Sequence, residues 1–280
     1  MILFLVTAAV FGAIVGLALG LTGGGGSIFA MPLLIYGLHL SPTQAVPISL
    51  IAVGMTALVG ALHSIRARLV IWQPAIMFVI GGILGAPLGV WTSQFLATAF
   101  IVTGFALLAI VVGTLMWIRA RTRPEEASAV RAEPEGSDGG PVCVLAPDGQ
   151  LRYSAPCAIV LAATGVGTGF LSGLFGVGGG FLIVPALTLV TRMGVHSAVA
   201  SSLLIIAAIG FAGAAGAIIA GNVSWTILLP FVLGGASAML LSRRFARRVA
   251  GPVLQRIFSA IIVLVGISIL TQNLIELSQP

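Results

Sequence analysis

Two glycine-rich stretches are the parts of this sequence whose residue types and spacing suit ligand chemistry. They read TGGGGSIFAMP at positions 22–32 and FGVGGGFLIVP at positions 175–185, and each interrupts an apolar run. Glycine tolerates positive φ and lets backbones approach closely, so each stretch predicts a break between two helices. The helix after such a break presents unpaired N–H groups and the positive end of its dipole. Two such ends that converge would hold an oxyanion without any lysine or arginine.

Serine-bearing segments follow each stretch, AVPISL at 45–50 and AVASSL at 198–203. Their hydroxyls would bind a ligand, cap a helix or hydrogen-bond to the backbone, and the sequence leaves these alternatives open. Glycine in membrane helices can also serve close packing alone, but two runs, each followed by a proline, favour a functional break. The expected donors are the backbone amides of residues 24–28 and 177–181. The candidate substrate-binding residues are Thr22, Gly23, Gly24, Gly25, Gly26, Ser27, Ser49, Gly176, Val177, Gly178, Gly179, Gly180, Ser201 and Ser202.

Acidic residues are absent from every apolar stretch. Six of the seven lie between positions 125 and 148, and the seventh is Glu276 near the C-terminus. Many cation carriers use buried carboxylates as ligands or relays, so a cation substrate is not expected. Cys143 and Cys157 form no CxxC spacing and lie near no histidine cluster, so we expect no metal site, no catalytic site and no cofactor.

Composition indicates that lipid is the main solvent of this chain. Hydrophobic residues make up 59% of its 280 residues, charged residues only 7%, and the mean hydropathy is +1.17. Soluble domains carry about 25% charged residues. The thirteen arginines lie between apolar runs and form no binding face for nucleic acid. The sequence therefore predicts an all-α, multi-pass membrane protein whose partners are the lipid bilayer and a small anion.

The two halves of the chain are repeats of each other. At a constant offset of 153 residues (Gly173 against Gly20), Pro32 meets Pro185, Ser49 meets Ser202 and Trp72 meets Trp225. The predicted organisation is a first transmembrane repeat at 1–118, a polar and cytoplasmic linker at 119–154, and a second repeat at 155–280. Each repeat is expected to contain about four transmembrane helices, with the glycine-rich segments as broken or re-entrant helices.

The arginines indicate the orientation of the repeats. At the 153-residue offset, the basic loops of one half coincide with uncharged loops of the other. All arginines face the cytoplasm, as the positive-inside rule requires, only if each repeat crosses the membrane an odd number of times. We therefore predict inverted repeats with both termini outside and the linker inside.

The sequence resembles the TauE/SafE sulfite exporter family, also called the TSUP or four-transmembrane-repeat anion exporter family. The resemblance rests on GLTGGGGSIFAMPLL, GLFGVGGGFLIVPAL, the AVPISL and AVASSL segments, and Trp72 and Trp225 before their paired glycines. It covers nearly the whole chain outside the linker. It implies about eight spans and a permease of the bacterial inner membrane that exports sulfite or an organosulfonate.

Three functions remain open on the sequence. The leading one is a secondary transporter or facilitator of a small sulfur-containing oxyanion. A channel-like uniporter for another small anion shares the repeat and the paired helix breaks. An intramembrane enzyme or assembly factor would need a nucleophile, metal ligands or paired carboxylates at membrane depth, and the apolar stretches supply none.

The predicted orientation has a direct test. A reporter enzyme that is active only in the cytoplasm, fused after Pro280, is expected to be inactive because an odd number of crossings per repeat returns the C-terminus to the outside. Activity of that fusion, in cells where a fusion within the 119–154 linker is also active, would contradict the inverted arrangement.

Overall fold

The computed structural model describes residues 2–122, 155–191, 193, 195–219, 223–246 and 251–278, and ten helices account for most of them. The first half contains α1 (Ile2–Thr22), α2 (Gly25–Gly37), α3 (Pro42–Arg66), α4 (Trp72–Ser93) and α5 (Thr98–Thr122). The second half contains α6 (Ala155–Phe175), α7 (Gly180–Thr191), α8 (Val195–Ile219), α9 (Trp225–Ala246) and α10 (Gly251–Ser278). The predicted linker lies outside the described residues from position 123 onward, and α5 continues past its predicted end to Thr122.

Seven of these helices are long and apolar enough to cross a membrane, judged by length and composition in the described residues. They are α1, α3, α4, α5, α6, α8 and α9. Large apolar side chains such as Leu84 and Phe100 are exposed on the outer faces of the bundle, where lipid would cover them. The predicted all-α, polytopic membrane fold is confirmed, and α2 is the irregular member, since it starts as a 3₁₀ helix and ends as a π-helix.

The helix boundaries of the two halves follow the repeat closely. Helices α6, α8 and α9 begin and end 153 residues after α1, α3 and α4, and α10 begins 153 residues after α5. Each of these helices packs on a helix of the other half. Helix α1 packs on α9, α4 on α6, α3 on α8 and α5 on α10. Only the second member of each half differs visibly, since α7 is regular where α2 is broken.

Glycine faces set how closely the helices approach. Gly81, Gly85 and Gly89 of α4 lie one turn apart, and a Cβ on each would fall 2.2, 2.2 and 2.1 Å from a backbone carbonyl oxygen of α6. Lipid tails are as apolar as leucine, so helices in a membrane associate through this kind of close backbone contact rather than through the hydrophobic effect. The glycines of α4 therefore hold α6, a helix of the other half.

The same contacts give the helix directions. Gly12, Gly16 and Gly20 of α1 neighbour successive residues of α9, so α1 and α9 run parallel. Likewise α4 runs parallel to α6 and α8, and α3 runs parallel to α9 but antiparallel to α8. Consequently α1, α3 and α9 point one way, and their counterparts α6, α8 and α4 point the other way. Inverted repeats require this relation, and their orientation in a membrane stays a prediction.

Helix α2 returns beside α1. Gly26 lies against Leu19 and Ala18 of α1, and Gly37 lies against Phe11. The chain thus forms an antiparallel hairpin and begins α3 at the end of the bundle where α1 began. A repeat built in this way ends on the side opposite to its start.

The described arginines gather at one end of the bundle. Helix α3 ends at Arg66, α5 carries Arg121 in its last turn, and α9 carries Arg244 near its end. Arg256 is in the first turns of α10, whose start lies beside the end of α5 because Ser259 neighbours Gly113. The start of α1 and the end of α10 are at the opposite end.

Two alanine substitutions in α6 test its packing against α4. In Gly169→Ala the new Cβ would lie 2.5 Å from the carbonyl oxygen of Gly82, whereas in Gly167→Ala it has no neighbour within 4 Å. We expect Gly169→Ala to lower the free energy of unfolding by about 1–3 kcal/mol, and Gly167→Ala to leave it unchanged or slightly raised. Thermal unfolding of the purified protein in detergent measures both, and equal midpoints would contradict the close α4–α6 contact.

Candidate functional site

The two glycine-rich breaks meet in the interior of the protein. We call Gly23–Gly26 the first glycine loop and Gly176–Gly179 the second glycine loop; both are buried. A Cβ on Gly24 would lie 2.2 Å from the carbonyl oxygen of Gly180, and a Cβ on Gly180 would lie 2.5 Å from that of Gly24. Glycine at both positions therefore allows the chain breaks of the two halves to touch backbone to backbone.

Backbone conformation explains why glycine is needed to turn the chain here. Gly23 has φ +75° and its amide donates to the carbonyl of Leu19, which ends α1 as a left-handed glycine cap. Its repeat counterpart Gly176 has φ +64°. Gly178 and Gly179 also have positive φ, at +70° and +65°, so the second glycine loop turns more sharply than the first before α7 begins.

Two serines hold these loops from the opposite half. The Ser202 hydroxyl on α8 donates to the carbonyl oxygen of Gly23 at 2.7 Å. In the symmetric position, the Ser49 hydroxyl on α3 donates to the carbonyl oxygen of Gly176. Both serines are fully buried. Each half of the protein thus hydrogen-bonds to the chain break of the other half.

These bonds bear on the ligand role predicted for the serines. A hydroxyl has one proton to donate, and in Ser49 and Ser202 two backbone carbonyls share it: that of the loop glycine and that of Val46 or Val199, three residues earlier in the same helix. Both side chains therefore position the glycine loops in this conformation. Ser201 lies elsewhere, because its oxygen accepts a hydrogen bond from the amide of Ile71 at the start of α4.

The other predicted hydroxyls also bond to carbonyl groups. Thr22 donates to the carbonyl of Ala18 at 2.7 Å, and Ser27 donates to the carbonyl of Gly24 at 2.8 Å. Among the predicted amide donors, Val177 is engaged with the carbonyl of Ser172. The structure thus brings the candidate residues of both loops together, with Ser49 and Ser202 beside them.

Amides at the start of α7 remain directed toward the second glycine loop. The first hydrogen bonds of this helix are made by Leu182 and Ile183, which both donate to the carbonyl of Gly179. The amides of Gly180 and Phe181 precede these bonds, as expected of the first N–H groups of a helix. Helix α7 is regular from its first residue, so its dipole is directed at the loop.

Ser172 of α6 is a residue of this site that sequence reasoning missed. Its hydroxyl is buried and has no hydrogen-bond partner in the described part of the chain. The oxygen lies 3.2 Å from the position that a Cβ on Gly179 would take. The repeat contained a signal for it, because the residue 153 positions earlier is Leu19, and a hydroxyl replaces an apolar side chain there.

Among the described residues, the buried polar side chains are serines and threonines only. Glu276, near the end of α10, is the only acidic residue in the described ranges. No group of three His, Cys, Asp or Glu side chains that could hold a metal ion occurs within them. The electrostatics at the loops therefore come from peptide dipoles and hydroxyl groups.

A cavity of about 120 Å³ lies near the starts of α3 and α9, away from the arginine-rich end. Leu40, Gln44, Ile48, Ser224 and Ile227 line it. Ile48 precedes the loop-binding Ser49. The repeat counterparts of Ile48 and Ser224 are Ser201 and Ile71, and these two are joined by the hydrogen bond described above. The two ends of the protein therefore differ, with a cavity at one and a closed contact at the other.

Comparison with known proteins gives a consistent family. Residues 8–269 match the family described as sulfite exporter TauE/SafE. A probable membrane transporter protein of Xylella fastidiosa is 35% identical over 94% of this chain and 93% of its own length. The probable membrane transporter protein YunE of Bacillus subtilis is 26% identical over 95% of this chain and 97% of its own length. No solved structure matches significantly.

The reciprocal serine contacts predict a stability effect. Ser49→Ala and Ser202→Ala each leave a buried glycine carbonyl without its donor, which costs about 1–3 kcal/mol. Ser242→Ala is the matched control, since Ser242 is buried and bonds to a carbonyl of its own helix. We expect both loop variants to unfold at lower temperature than the control in detergent. Midpoints equal to that of Ser242→Ala would show that the contacts between the halves contribute nothing.

Proposed function

Since the chain belongs to the TauE/SafE sulfite exporter family, we propose that it moves a small sulfur-containing oxyanion, such as sulfite or an organosulfonate, across the bacterial inner membrane. It acts as a secondary transporter or facilitator. The observation that carries the proposal is the pair of buried glycine loops, each bonded to a serine of the opposite half. The family supports a sulfur-containing substrate, and the loops support an anion.

An anion fits the groups that surround the loops. Unpaired amides and a helix N-terminus stabilise negative charge and disfavour cations. A positively charged substrate would need carboxylates at membrane depth, and the described helices have none before Glu276. Since the buried polar side chains of the described residues are serines and threonines only, the anion is bound by dipoles and hydroxyl groups and released easily, as transport requires.

The arrangement of the halves supports a carrier that alternates between two states. Transporters of inverted repeats work by rocking one half against the other around a fixed central site. Here the central contact is Gly24 against Gly180. The two ends of the protein differ as expected when one side is open and the other closed. A cavity by Gln44 and Ser224 lies at one end, and the Ile71–Ser201 contact lies at the other.

The orientation follows from the arginines. Basic residues flanking membrane spans remain in the cytoplasm, so the arginine-rich end faces inward and both termini face outward. The cavity then lies toward the outside. An exporter passes through such a state when it releases its anion.

A channel-like uniporter is the second candidate, because touching loops could also part to form a pore. Saturation and counterflow distinguish the two. A carrier loaded with unlabelled anion on the far side accelerates labelled uptake, whereas a pore does not.

Radiolabelled sulfite flux in proteoliposomes tests the proposal, with sulfoacetate, sulfate, thiosulfate and lactate as unlabelled competitors. We expect saturable flux that one or more sulfur oxyanions block and lactate does not. Flux equal to that of empty liposomes, across several pH gradients, would overturn the proposal.

Variants of the second glycine loop provide the matched control for this assay. In Gly178→Val the side chain would enter a position with φ +70° and approach Val53, whereas the Cβ of Gly216→Val meets nothing within 4 Å. Gly178→Val is expected to abolish flux while the protein still inserts, and Gly216→Val to retain it.

A further inference from the structure

We infer that the Ser172 hydroxyl and the first amides of α7 form the oxyanion subsite of this protein, and that the subsite exists in the second half only. This inference deepens the proposed function and rests on it for the class of ligand. It assigns the binding of anion oxygens to a residue outside the glycine loops.

Ser172 is unlike the other buried serines of the described chain. Ser27, Ser49, Ser64, Ser201, Ser202, Ser242 and Ser259 each form a hydrogen bond with a backbone group. Serine and threonine hydroxyls within helices usually bond to the carbonyl one turn earlier, as Thr168 does to Thr164. The Ser172 hydroxyl does not, although only 1% of the residue is exposed.

An unpaired buried hydroxyl is costly. Leaving a buried donor unsatisfied destabilises a protein by about 1–3 kcal/mol. Leucine occupies the counterpart position, at residue 19, and is fully buried there, so the scaffold accepts an apolar side chain at this place. Ser172 lowers the stability of the protein, and the fold does not need it. A ligand that accepts its hydrogen bond explains why a serine is present there.

The surroundings of Ser172 supply further donors for the same ligand. Its oxygen lies 3.2 Å from the position that a Cβ on Gly179 would take, so a side chain at residue 179 would crowd the hydroxyl. The next amides along the chain are those of Gly180 and Phe181, which precede the first hydrogen bonds of α7. A hydroxyl and consecutive amides at a helix start bind an oxyanion by several short hydrogen bonds at once.

The first half offers no equivalent subsite. Leu19 replaces Ser172, and Ser27, the counterpart of Gly180, donates its hydroxyl to the carbonyl of Gly24. Helix α2 also starts as a 3₁₀ turn rather than as a regular α-helix, so its dipole is weaker. The two glycine loops therefore have different roles. The second loop binds the anion, and the first loop contacts it only through the backbone of Gly24.

Ser172→Ala tests the inference, with Ser259→Ala as the matched control. Ser259 is equally buried, lies on α10 and donates to the carbonyl of Arg256. Without anion, Ser172→Ala is expected to unfold at the same or a higher temperature than the wild type, because it removes an unsatisfied group, while Ser259→Ala unfolds at a lower temperature. With sulfite, the wild type and Ser259→Ala should gain thermal stability, and Ser172→Ala should gain little.

The proteoliposome assay then separates this inference from the proposed function. We expect Ser172→Ala to raise the half-saturating sulfite concentration by about tenfold or more, as for a lost hydrogen bond to a charged group, and Ser259→Ala to leave it unchanged. If the wild type transports sulfite and Ser172→Ala has the same half-saturating sulfite concentration, the subsite is overturned and the proposed function stands. Sulfite stabilisation that depends on Ser172, without any flux, would support the subsite and overturn transport. A wild type that neither binds nor transports sulfite or its competitors would overturn both.

Discussion

Backbone hydrogen bonding in the absence of water is the constraint on which this structure depends. Inside a bilayer every peptide group must be satisfied by the protein, yet a break in a helix frees several of them. The protein meets this constraint by exchange between its halves, because Ser49 bonds to the carbonyl of Gly176 and Ser202 to that of Gly23. Each half thus supplies a hydrogen-bond donor to the chain break of the other half.

Close packing follows from the same solvent. Lipid supplies no hydrophobic force between helices, so the bundle depends on glycine faces such as Gly81, Gly85 and Gly89 against α6. These contacts join helices of different halves rather than helices within one half.

Much of the fold could be predicted from the sequence. Hydropathy and the 153-residue offset were enough to predict a polytopic helical protein, and α1, α3 and α4 begin and end at places that match α6, α8 and α9. The two glycine stretches were also found, because glycine and proline interrupt an apolar pattern visibly. Three features could not be predicted. The partner of Ser49 depends on a contact 127 residues away, the 3₁₀ start of α2 depends on packing against α1, and the unpaired Ser172 hydroxyl depends on its rotamer.

Symmetry and binding make opposite demands on this site. Two equivalent halves can exchange roles as the protein opens to each side, which favours identical loops. A small oxyanion, however, occupies one place and needs its donors on one side of it. The sequence departs from the repeat where this matters, with Ser172 opposite Leu19, and Gly180 opposite Ser27. The hydrogen bonds of Ser49 and Ser202 to the glycine loops follow the repeat, whereas the residues nearest the start of α7 differ between the halves. Under the proposed function, the symmetric residues serve the motion of the halves and the asymmetric ones serve the ligand.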